Sequence, residues 1–405
     1  MIWHFLHIID IALWLLMAAS TVYILFFALV STLWKKRVSR LTSYLTGQVL
    51  SMRKKDFFSY LILYPAYNED RVIVNSVQKF LAQYYPYSCF HVAVISDHMQ
   101  PETNRKLSEL PITLLQPIFE KSSKAKAMQY AMDQIKDDYD FIVVLDADNV
   151  VEPHFLEQLN MECAKGYKAI QCHRCAKNND NDIAVLDGVS EEINNTIFRK
   201  AHNRIGLSSA LIGSGMCFDY QWFKENVYKL TTAGEDRELE ALLLQQKVYI
   251  HYEPDIHVFD EKVSNKDNFQ KQRLRWMTVQ IQSLFRLLPY IPKAITTFNL
   301  DYIDKTIQQA LIPRSMLVVG ALGMSLFMTV FSLLFSLSWY IKWWCLFLAV
   351  CIALYIATPK QLRRHSVFGK ILSLPKLVWK MAMNILKIDR KNTDFIHTTH
   401  NKVNE

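Results

Sequence analysis

The feature that most constrains the fold is a long apolar run near the N-terminus. Residues 8–34 read IIDIALWLLMAASTVYILFFALVSTLW, and Asp10 is the only charged residue in that run. A helix of about 20 apolar residues spans a bilayer, so this run is long enough even if the helix is tilted. The basic segment KKRVSR follows it at 35–40. Because a cleavable signal peptide carries its charge in front of the apolar stretch, we predict a retained helix whose C-terminal end faces the cytoplasm.

Two further apolar runs occupy residues 315–338 and 343–358, and only WYIK separates them. Aromatic residues cluster at that turn, as is typical of a membrane interface, and the basic segment PKQLRRH follows the second run. We therefore predict a transmembrane hairpin, with a short buried soluble helix as the alternative for 343–358. Together the three runs place residues 35–314 and the C-terminus on the cytoplasmic side of an inner membrane.

Segments beside these spans are amphipathic. Residues 368–387 mix Lys with Leu, Ile, Trp and Met, which favours a helix lying on the inner leaflet. Residues 281–298 are similar, and both segments could equally be core helices. The polar tail from 389 is expected to be disordered. The predicted organisation is a membrane helix (1–34), a basic linker (35–56), a cytoplasmic domain (57–280), interfacial helices (281–314), a transmembrane hairpin (315–358), and a cytoplasmic amphipathic helix with a polar tail (359–405).

The net charge and the cysteines can also be explained without a catalytic or metal site. The formal net charge of +8 suits a basic, membrane-anchored binding module for nucleic acid or anionic lipid, without catalysis. The seven cysteines show no disulfide-type spacing, which favours a reducing compartment. Cys172 and Cys175 form CHRC, but a structural zinc site would need a second ligand pair and none is obvious. We expect a strand end with two incidental thiols there.

Between residues 57 and 260, short apolar runs alternate with segments of helical periodicity. The runs, which we predict to be strands, are YLILY (60–64), HVAVISD (91–97), ITLLQ (112–116), FIVVLDAD (141–148) and KAIQC (168–172). Such alternation is typical of a parallel sheet covered on both faces. Ligands of these sheets bind beyond the carboxyl ends of the strands, where the chain places Tyr67, Glu69, Asp97, Asp146 and Asp148. These strand ends predict a nucleotide site, although neither a dinucleotide fingerprint nor a P-loop is present.

The sequence LDADN puts Asp146 and Asp148 two residues apart at a strand end. In extended backbone, residues i and i+2 point the same way. Two carboxylates on one side form a hard-oxygen site for Mg²⁺ or Mn²⁺, completed by phosphate and water. Such an ion can neutralise the diphosphate leaving group of a nucleotide sugar.

Three later motifs add candidate site residues. GSGMCF (213–218) has two glycines that permit close backbone approach to a ligand. AGEDRELE (233–240) begins a helix with acids, which either complement the helix dipole or place Glu235 or Asp236 in the crevice as a general base. In KQRLRW (271–276), Gln272, Arg275 and Trp276 would share one helix face, while Lys271 and Arg273 would face elsewhere, towards the membrane.

Seven features follow one another along the chain: PAYNE (65–69), Asp97, Lys124 of KAKAMQ, DAD (146–148), GSGM (213–216), GED (234–236) and QRLRW (272–276). Together and in this order, they resemble the motifs of the membrane-integrated family 2 glycosyltransferases, such as cellulose and hyaluronan synthases and ceramide glucosyltransferase. The resemblance covers about residues 57–285 and implies a GT-A fold, an α/β nucleotide-sugar sandwich. It differs at Gly234, where the family motif usually has Thr.

The resemblance also implies roles for individual residues. The residues that would contact the nucleotide are Tyr67, Glu69, Asp97, Lys124, Asp146 and Arg275, and those that would bind the metal are Asp146 and Asp148. The residues that would contact the acceptor are Gly213, Ser214, Gly215, Met216, Gln272 and Trp276. Asp236, with Glu235, would be catalytic. The implied reaction is a single displacement from a UDP-sugar that inverts the anomeric centre and gives a β-linkage.

The acceptor is either a growing polysaccharide or a lipid-linked saccharide. Three spans are few to enclose a polymer channel, which favours a single addition unless the chain forms homo-oligomers or has an export partner. Nucleic acid is not an expected partner, because the ordered acids would repel phosphates in the absence of a metal ion.

Overall fold

A mixed β-sheet lies at the centre of the domain that was predicted to be cytoplasmic. The structure, a computed structural model, describes residues 2–34, 55–178, 181–262, 266–335 and 338–363. The strands in these ranges are β1 (Tyr60–Tyr67), β2 (Phe90–Asp97), β3 (Thr113–Leu115), β4 (Phe141–Val144), β5 (Val150–Val151), β6 (Ala169–Ala176), β7 (Met216–Asp219) and β8 (Ile250–Asp260). Their order across the sheet is β3-β2-β1-β4-β7-β6-β8-β5.

The first half of the sheet is parallel. β1 pairs with β2 and with β4, and β2 pairs with β3, all in parallel. Residues 60–64 of β1 are completely buried, because helices cover both faces of the strand; this explains its continuous apolar sequence. The predicted α/β fold is confirmed, and all five predicted strands are present.

The second half departs from the parallel arrangement that the strand pattern predicted. β7 runs antiparallel to both of its neighbours, β4 and β6. The four residues of β7 follow directly after the glycines of GSGMCF and are too short to show a strand period. β8, which pairs in parallel with β6, was also missed, because polar residues interrupt its apolar pattern.

Two layers of helices enclose the sheet. The helices are α1 (Ile2–Leu33), α2 (Ile73–Leu81), α3 (Pro101–Ser108), α4 (Lys124–Gln134), α5 (Phe155–Ala164), α6 (Asp182–Asn194), α7 (His202–Arg204), α8 (Tyr220–Asn226), α9 (Glu235–Gln245), α10 (Lys266–Leu287), α11 (Ile291–Thr296), α12 (Leu300–Ala310), α13 (Arg314–Phe335) and α14 (Tyr340–Ala357). A π-helical turn, Asn195–Ala201, connects α6 to α7. Helices α2 and α5 pack on one face of the sheet, and α4, α8 and α9 pack on the other.

Residues 281–298 were predicted to form either interfacial helices or core helices, and α11 and α12 have features of both. Ala294 and Tyr302 are buried in the domain core. On the same helices and their connection, Ile295, Phe298 and Ile307 are exposed. One face therefore packs on the domain, and the other leaves apolar side chains uncovered, so contact of that face with a bilayer stays a prediction.

Helices α1, α13 and α14 are each long and apolar enough to cross a membrane. They pack together through a shared apolar cluster. Asp10, the charged residue of the first span, is buried against the hairpin, where it pairs with Lys342 and accepts a 2.8 Å hydrogen bond from Nε1 of Trp343. Because a charge in a membrane helix is costly unless it is paired, this contact explains how the span accommodates an acid.

Several predictions fall outside the described residues. They concern most of the basic linker (35–54), the amphipathic helix at 368–387 and the polar tail.

Candidate active site

A cavity of about 820 Å³ opens at the carboxyl ends of the parallel strands. Strand register brings the predicted nucleotide residues to its edge, because Tyr67 and Asp97 are directly paired at the ends of β1 and β2. Both residues, together with Glu69, line the cavity. The Asp97 side chain is buried, and its Oδ1 lies 2.5 Å from Nδ1 of His98. Polar groups therefore converge where the topology predicts a ligand.

The acids of LDADN follow β4 and line the same cavity. Asp148 is buried; its Oδ2 accepts a 2.8 Å hydrogen bond from the backbone N–H of Glu261, and its Oδ1 accepts one from Asn149. Asp146 is more exposed and forms an ion pair with Lys124. The backbone thus orients one carboxylate rigidly and leaves the other at the surface of the cavity.

Lys124, at the N-terminus of α4, connects three parts of the site. Besides Asp146, its ammonium contacts the carbonyl oxygen of Gly213 at 2.6 Å and lies 3.6 Å from Oε1 of Glu235. Burial alone would lower the pKa of Lys124, but the carboxylates of Asp146 and Glu235 outweigh it and raise the pKa above its ordinary value. Lys124 therefore stays charged inside the cavity, where a cation can meet a diphosphate.

Glu235 and Asp236 begin helix α9, as the sequence predicted. Burial raises the pKa of Glu235 from 4.5 to about 7, despite the nearby cation of Lys124. Asp236 is less buried and also lines the cavity. A Cβ atom on Gly213 would lie 3.8 Å from Oε1 of Glu235 and 3.9 Å from Oδ2 of Asp236, so both acids face this loop.

Gly234, the departure from the family motif, has a packing explanation. A Cβ atom at this position would lie 2.5 Å from Cγ1 of Val279 on α10. This distance is well inside van der Waals contact, so a side chain at 234 would require Val279, and with it the packing of α10, to shift. The glycine allows α10 to pack directly against the start of α9.

Helix α10 presents Gln272, Arg275 and Trp276 to the cavity, as predicted. Oε1 of Gln272 is buried and has no hydrogen-bond partner among the described residues, so a ligand hydroxyl could donate to it.

The prediction for Arg273 is wrong. Its side chain lines the cavity, pairs with Asp187 and stacks over the ring of Trp276 at 4.6 Å. The buried acid of α6 draws Arg273 inward, and the side chain of Lys271 lies outside the described residues.

The glycine-rich loop contributes less surface than the sequence suggested. Gly213 lines the cavity, whereas Ser214, Gly215 and Met216 do not. These three residues are buried behind the wall; a Cβ atom on Gly215 would lie 2.9 Å from Val258. In the described structure they support the wall, because the chain turns directly into the buried strand β7.

A buried charge network in the cavity wall was missed from the sequence. Arg174 lies 3.0 Å from Glu191 and 3.8 Å from Asp260, while Lys262 lies 2.8 Å from Asp260. Burial alone would raise the pKa of Asp260, but the cations Arg174 and Lys262 lower it below its ordinary value. The members come from β6, α6 and the end of β8, so no local motif could have indicated them.

The cavity also extends to the helices that are predicted to span the membrane. Its far end is lined by Ile24 of α1, by residues of α13 and by residues of α14, including Val318, Val319, Leu354 and Tyr355. The acids at the sheet edge and the apolar side chains of the predicted spans therefore face one continuous space.

The donors at LDADN fit a hard divalent cation. Asp146 and Asp148 supply carboxylate oxygens to one cavity, the ligand type that Mg²⁺ and Mn²⁺ prefer. They do not belong to a group of three or more converging donors among the described residues. Phosphate and water oxygens would have to complete the coordination.

A family model described as Glycosyltransferase like family 2 matches residues 59–278, which is 220 of the 405 residues. No curated protein matches the chain.

Among solved structures, the chain is similar to mannosyltransferase PcManGT from Pyrobaculum calidifontis in complex with GDP-Man and Mn²⁺, with 15% identity, a TM-score of 0.48, and coverage of 86% of this chain and 97% of that one. It is also similar to S. aureus TarS 1-349 in complex with UDP-GlcNAc, with 12% identity, a TM-score of 0.43, and coverage of 81% and 92%. For glucosyl-3-phosphoglycerate synthase from Mycobacterium tuberculosis in complex with Mn²⁺ and UDP, identity is 13%, the TM-score 0.36 and coverage 52% and 75%.

Proposed function

Because the chain belongs to the glycosyltransferase like family 2, we propose that it transfers a sugar from a nucleotide-diphospho-sugar to a lipid-linked saccharide or growing polysaccharide at a membrane surface. Family membership makes the chain a glycosyltransferase, so the non-catalytic basic binding module is set aside. Beyond family membership, we propose that the nucleotide is UDP, that the anomeric carbon is inverted and that the product is β-linked.

The observation that carries this proposal is the continuity of the cavity. Its polar end holds Lys124, Asp146 and Asp148, and its apolar end reaches Val318 and Leu354 of the predicted membrane hairpin. A charged donor suits the first end, and an acceptor with an apolar tail suits the second. Of the two acceptor classes, a lipid-linked saccharide therefore has the stronger support.

The proposed reaction assigns a role to each charged group. Asp236 removes the proton from an acceptor hydroxyl as its oxygen attacks the anomeric carbon. The bond between that carbon and the diphosphate oxygen breaks, and the electron pair leaves with the nucleotide diphosphate. Lys124 and Arg275 stabilise the developing negative charge, and a guanidinium suits the planar geometry of phosphate oxygens. When bound by Asp146 and Asp148, Mg²⁺ or Mn²⁺ would neutralise further diphosphate charge.

Transfer of radiolabel from UDP-sugars into membrane lipid or polymer tests this function. Membranes containing the full chain should transfer label from at least one UDP-sugar, and Asp236→Asn should lower the rate by at least about 100-fold, the lower range for a general base. Asp255→Asn is the matched control, since this acid is exposed and lies outside the cavity.

Undiminished transfer by Asp236→Asn would refute the assigned base. Absence of transfer from every UDP-sugar, with transfer from another nucleotide sugar, would correct the nucleotide. Product size on a gel then separates a single addition from a polymer.

A further inference from the structure

A second group of candidate ligands lies on β6 and β8. In the parallel pairing of these strands, His173 is directly opposite His257. Cys175 follows two residues later on β6 and therefore shares the side of His173. One ligand atom from each of the three residues lies within 4.8 Å of the other two. Two imidazoles and a thiol thus converge from two neighbouring strands.

The pattern CHRC suggested a pair of thiols, but the structure separates them. Cys172 is buried in the hydrophobic core, whereas Cys175 is partly exposed and points to the histidines. The ligand that completes this group, His257, lies 82 residues after Cys175 in the sequence. A search for a nearby second pair could not find it.

The hydrogen bonds of His173 indicate that a cation belongs in this cluster. Its Nδ1 lies 2.9 Å from the carbonyl oxygen of Pro254, which can only accept, so Nδ1 carries a proton. Its Nε2 lies 2.9 Å from a carboxylate oxygen of Glu192. In a neutral imidazole with its proton on Nδ1, Nε2 accepts hydrogen bonds, and so does the Glu192 carboxylate oxygen. A proton or a metal ion must therefore lie between these two atoms.

The donor set suits a borderline-soft metal ion. Zn²⁺ binds thiolate at about 2.3 Å and imidazole at about 2.0 Å in a tetrahedron, which places ligand atoms roughly 3.3–3.6 Å apart. Small side-chain movements would bring the three atoms to that spacing. The bond from Nδ1 of His173 to a backbone carbonyl is the usual outer-sphere contact of a zinc-bound histidine. Glu192 or water can occupy the fourth position.

We propose that His173, Cys175 and His257 bind one Zn²⁺ ion that clamps the end of β6 to the end of β8. The clamp acts on the proposed active site, because β8 ends at Asp260 and the next residue, Glu261, donates its N–H to Asp148. The site differs chemically from the carboxylates of LDADN, so its ion is separate from the Mg²⁺ or Mn²⁺ of the transfer reaction. The inference does not depend on the proposed reaction.

Cobalt titration of the full chain in detergent tests the site. The protein is stripped with a chelator and titrated with Co²⁺ in excess Mg²⁺, which occupies hard-oxygen sites. We expect one equivalent to bind tightly, with near-ultraviolet thiolate-to-cobalt absorption and visible bands of a tetrahedral ion, and Zn²⁺ to bleach both. Cys175→Ser should abolish the thiolate absorption, and His257→Ala should weaken binding by at least about tenfold, the loss seen even for outer-sphere changes.

Two control variants remove cysteines that lie outside the proposed site. Cys172→Ala and Cys89→Ser should leave the spectrum unchanged. Absence of thiolate absorption in the folded wild-type protein would overturn the proposal and assign the charge beside Glu192 to a proton on His173. Survival of the absorption in Cys175→Ser would overturn it equally. The wild-type titration decides the question even if a variant fails to fold.

Discussion

At the scale of single residues, the two acids of the proposed active site differ in their surroundings rather than in their spacing. Glu235 and Asp236 are adjacent in the chain, yet Glu235 is buried beside Lys124 while Asp236 is more exposed to the cavity. Burial raises the pKa of Glu235 to about 7. At neutral pH this carboxyl is therefore partly protonated, which limits the negative charge that Asp236 and a diphosphate would meet.

The raised pKa predicts how stability depends on pH. Because the folded-state pKa of about 7 lies above the ordinary value of 4.5, Glu235 stabilises the fold fully below pH 4.5, and this contribution is lost as the pH rises through 7. At about 1.4 kcal/mol per pH unit, the loss amounts to about 3 kcal/mol. Thermal unfolding of wild type and Glu235→Gln should therefore diverge between pH 4.5 and 7, with wild type becoming relatively less stable, and stay parallel above pH 8.

Glu109→Gln serves as the control, because this glutamate is exposed on the domain surface. The pH-dependent change in stability of Glu235→Gln should exceed the change measured for this control. A flat difference for Glu235→Gln over the same range would show that Glu235 ionises near its ordinary pKa.

At the scale of helices, the packing of α9 on α10 brings the acids to the helix face that carries Gln272, Arg275 and Trp276. Gly234 precedes α9, and Val279 lies on α10 one turn beyond Trp276. The absent Cβ at Gly234 allows contact between the two helices. The spacing of Asp236 from Arg275 therefore depends on a residue that contributes no chemistry.

Substitution of this glycine should reveal that dependence. Gly234→Ala places a methyl group 2.5 Å from Val279, and overpacking of this kind costs about 1–3 kcal/mol. We expect a lower melting temperature in detergent and slower transfer, with partial recovery of both in Gly234→Ala/Val279→Ala.

A second glycine provides the comparison. A Cβ atom on Gly323 of α13 would meet nothing within 4 Å, so Gly323→Ala should leave both measurements near wild type. Equal effects of the two substitutions would contradict the packing explanation for Gly234.

At the scale of the whole molecule, the first predicted span is bonded to the catalytic domain. His202 is fully buried and stacks on Phe27 of α1 with ring centroids 3.8 Å apart. Its Nε2 lies 2.9 Å from the Tyr23 hydroxyl and 3.1 Å from Asp304 on α12. Helix α1, the first predicted span, therefore forms part of the domain's structure, and its residue Ile24 lines the cavity.

A bulky residue in the apolar end of the cavity tests this shared space. Val318→Trp should fill the part of the cavity that faces the hairpin, so acceptor glycosylation should fall by at least about tenfold as apolar contacts with the acceptor are lost. Nucleotide binding, measured by equilibrium titration with UDP, should stay within about twofold of wild type.

The matched control is Val330→Trp, on the same helix but 60% exposed on its outer surface. It should transfer sugar at nearly the wild-type rate. If Val318→Trp transfers sugar normally, the acceptor does not use the apolar end of the cavity.

Much of the site could be predicted from the sequence, because its residues follow local rules. Apolar runs set the parallel strands, and acids at the ends of those runs necessarily meet at one edge of the sheet. Helical spacing likewise placed Gln272, Arg275 and Trp276 on one face, and they line the cavity together.

The sequence by itself determined the three helices that are apolar enough to cross a membrane, the α/β class and the edge of the sheet where the cavity opens, because each depends on hydrophobic periodicity over neighbouring residues. Only the tertiary structure decided the rest: the antiparallel strand β7, the inward turn of Arg273, and the convergence of Cys175 with His257. These features depend on contacts between residues far apart in the chain, where the partner and its burial decide the role of a side chain. Gly234 is a further example, because the need for glycine at this position is explained only by the packing of Val279 against it.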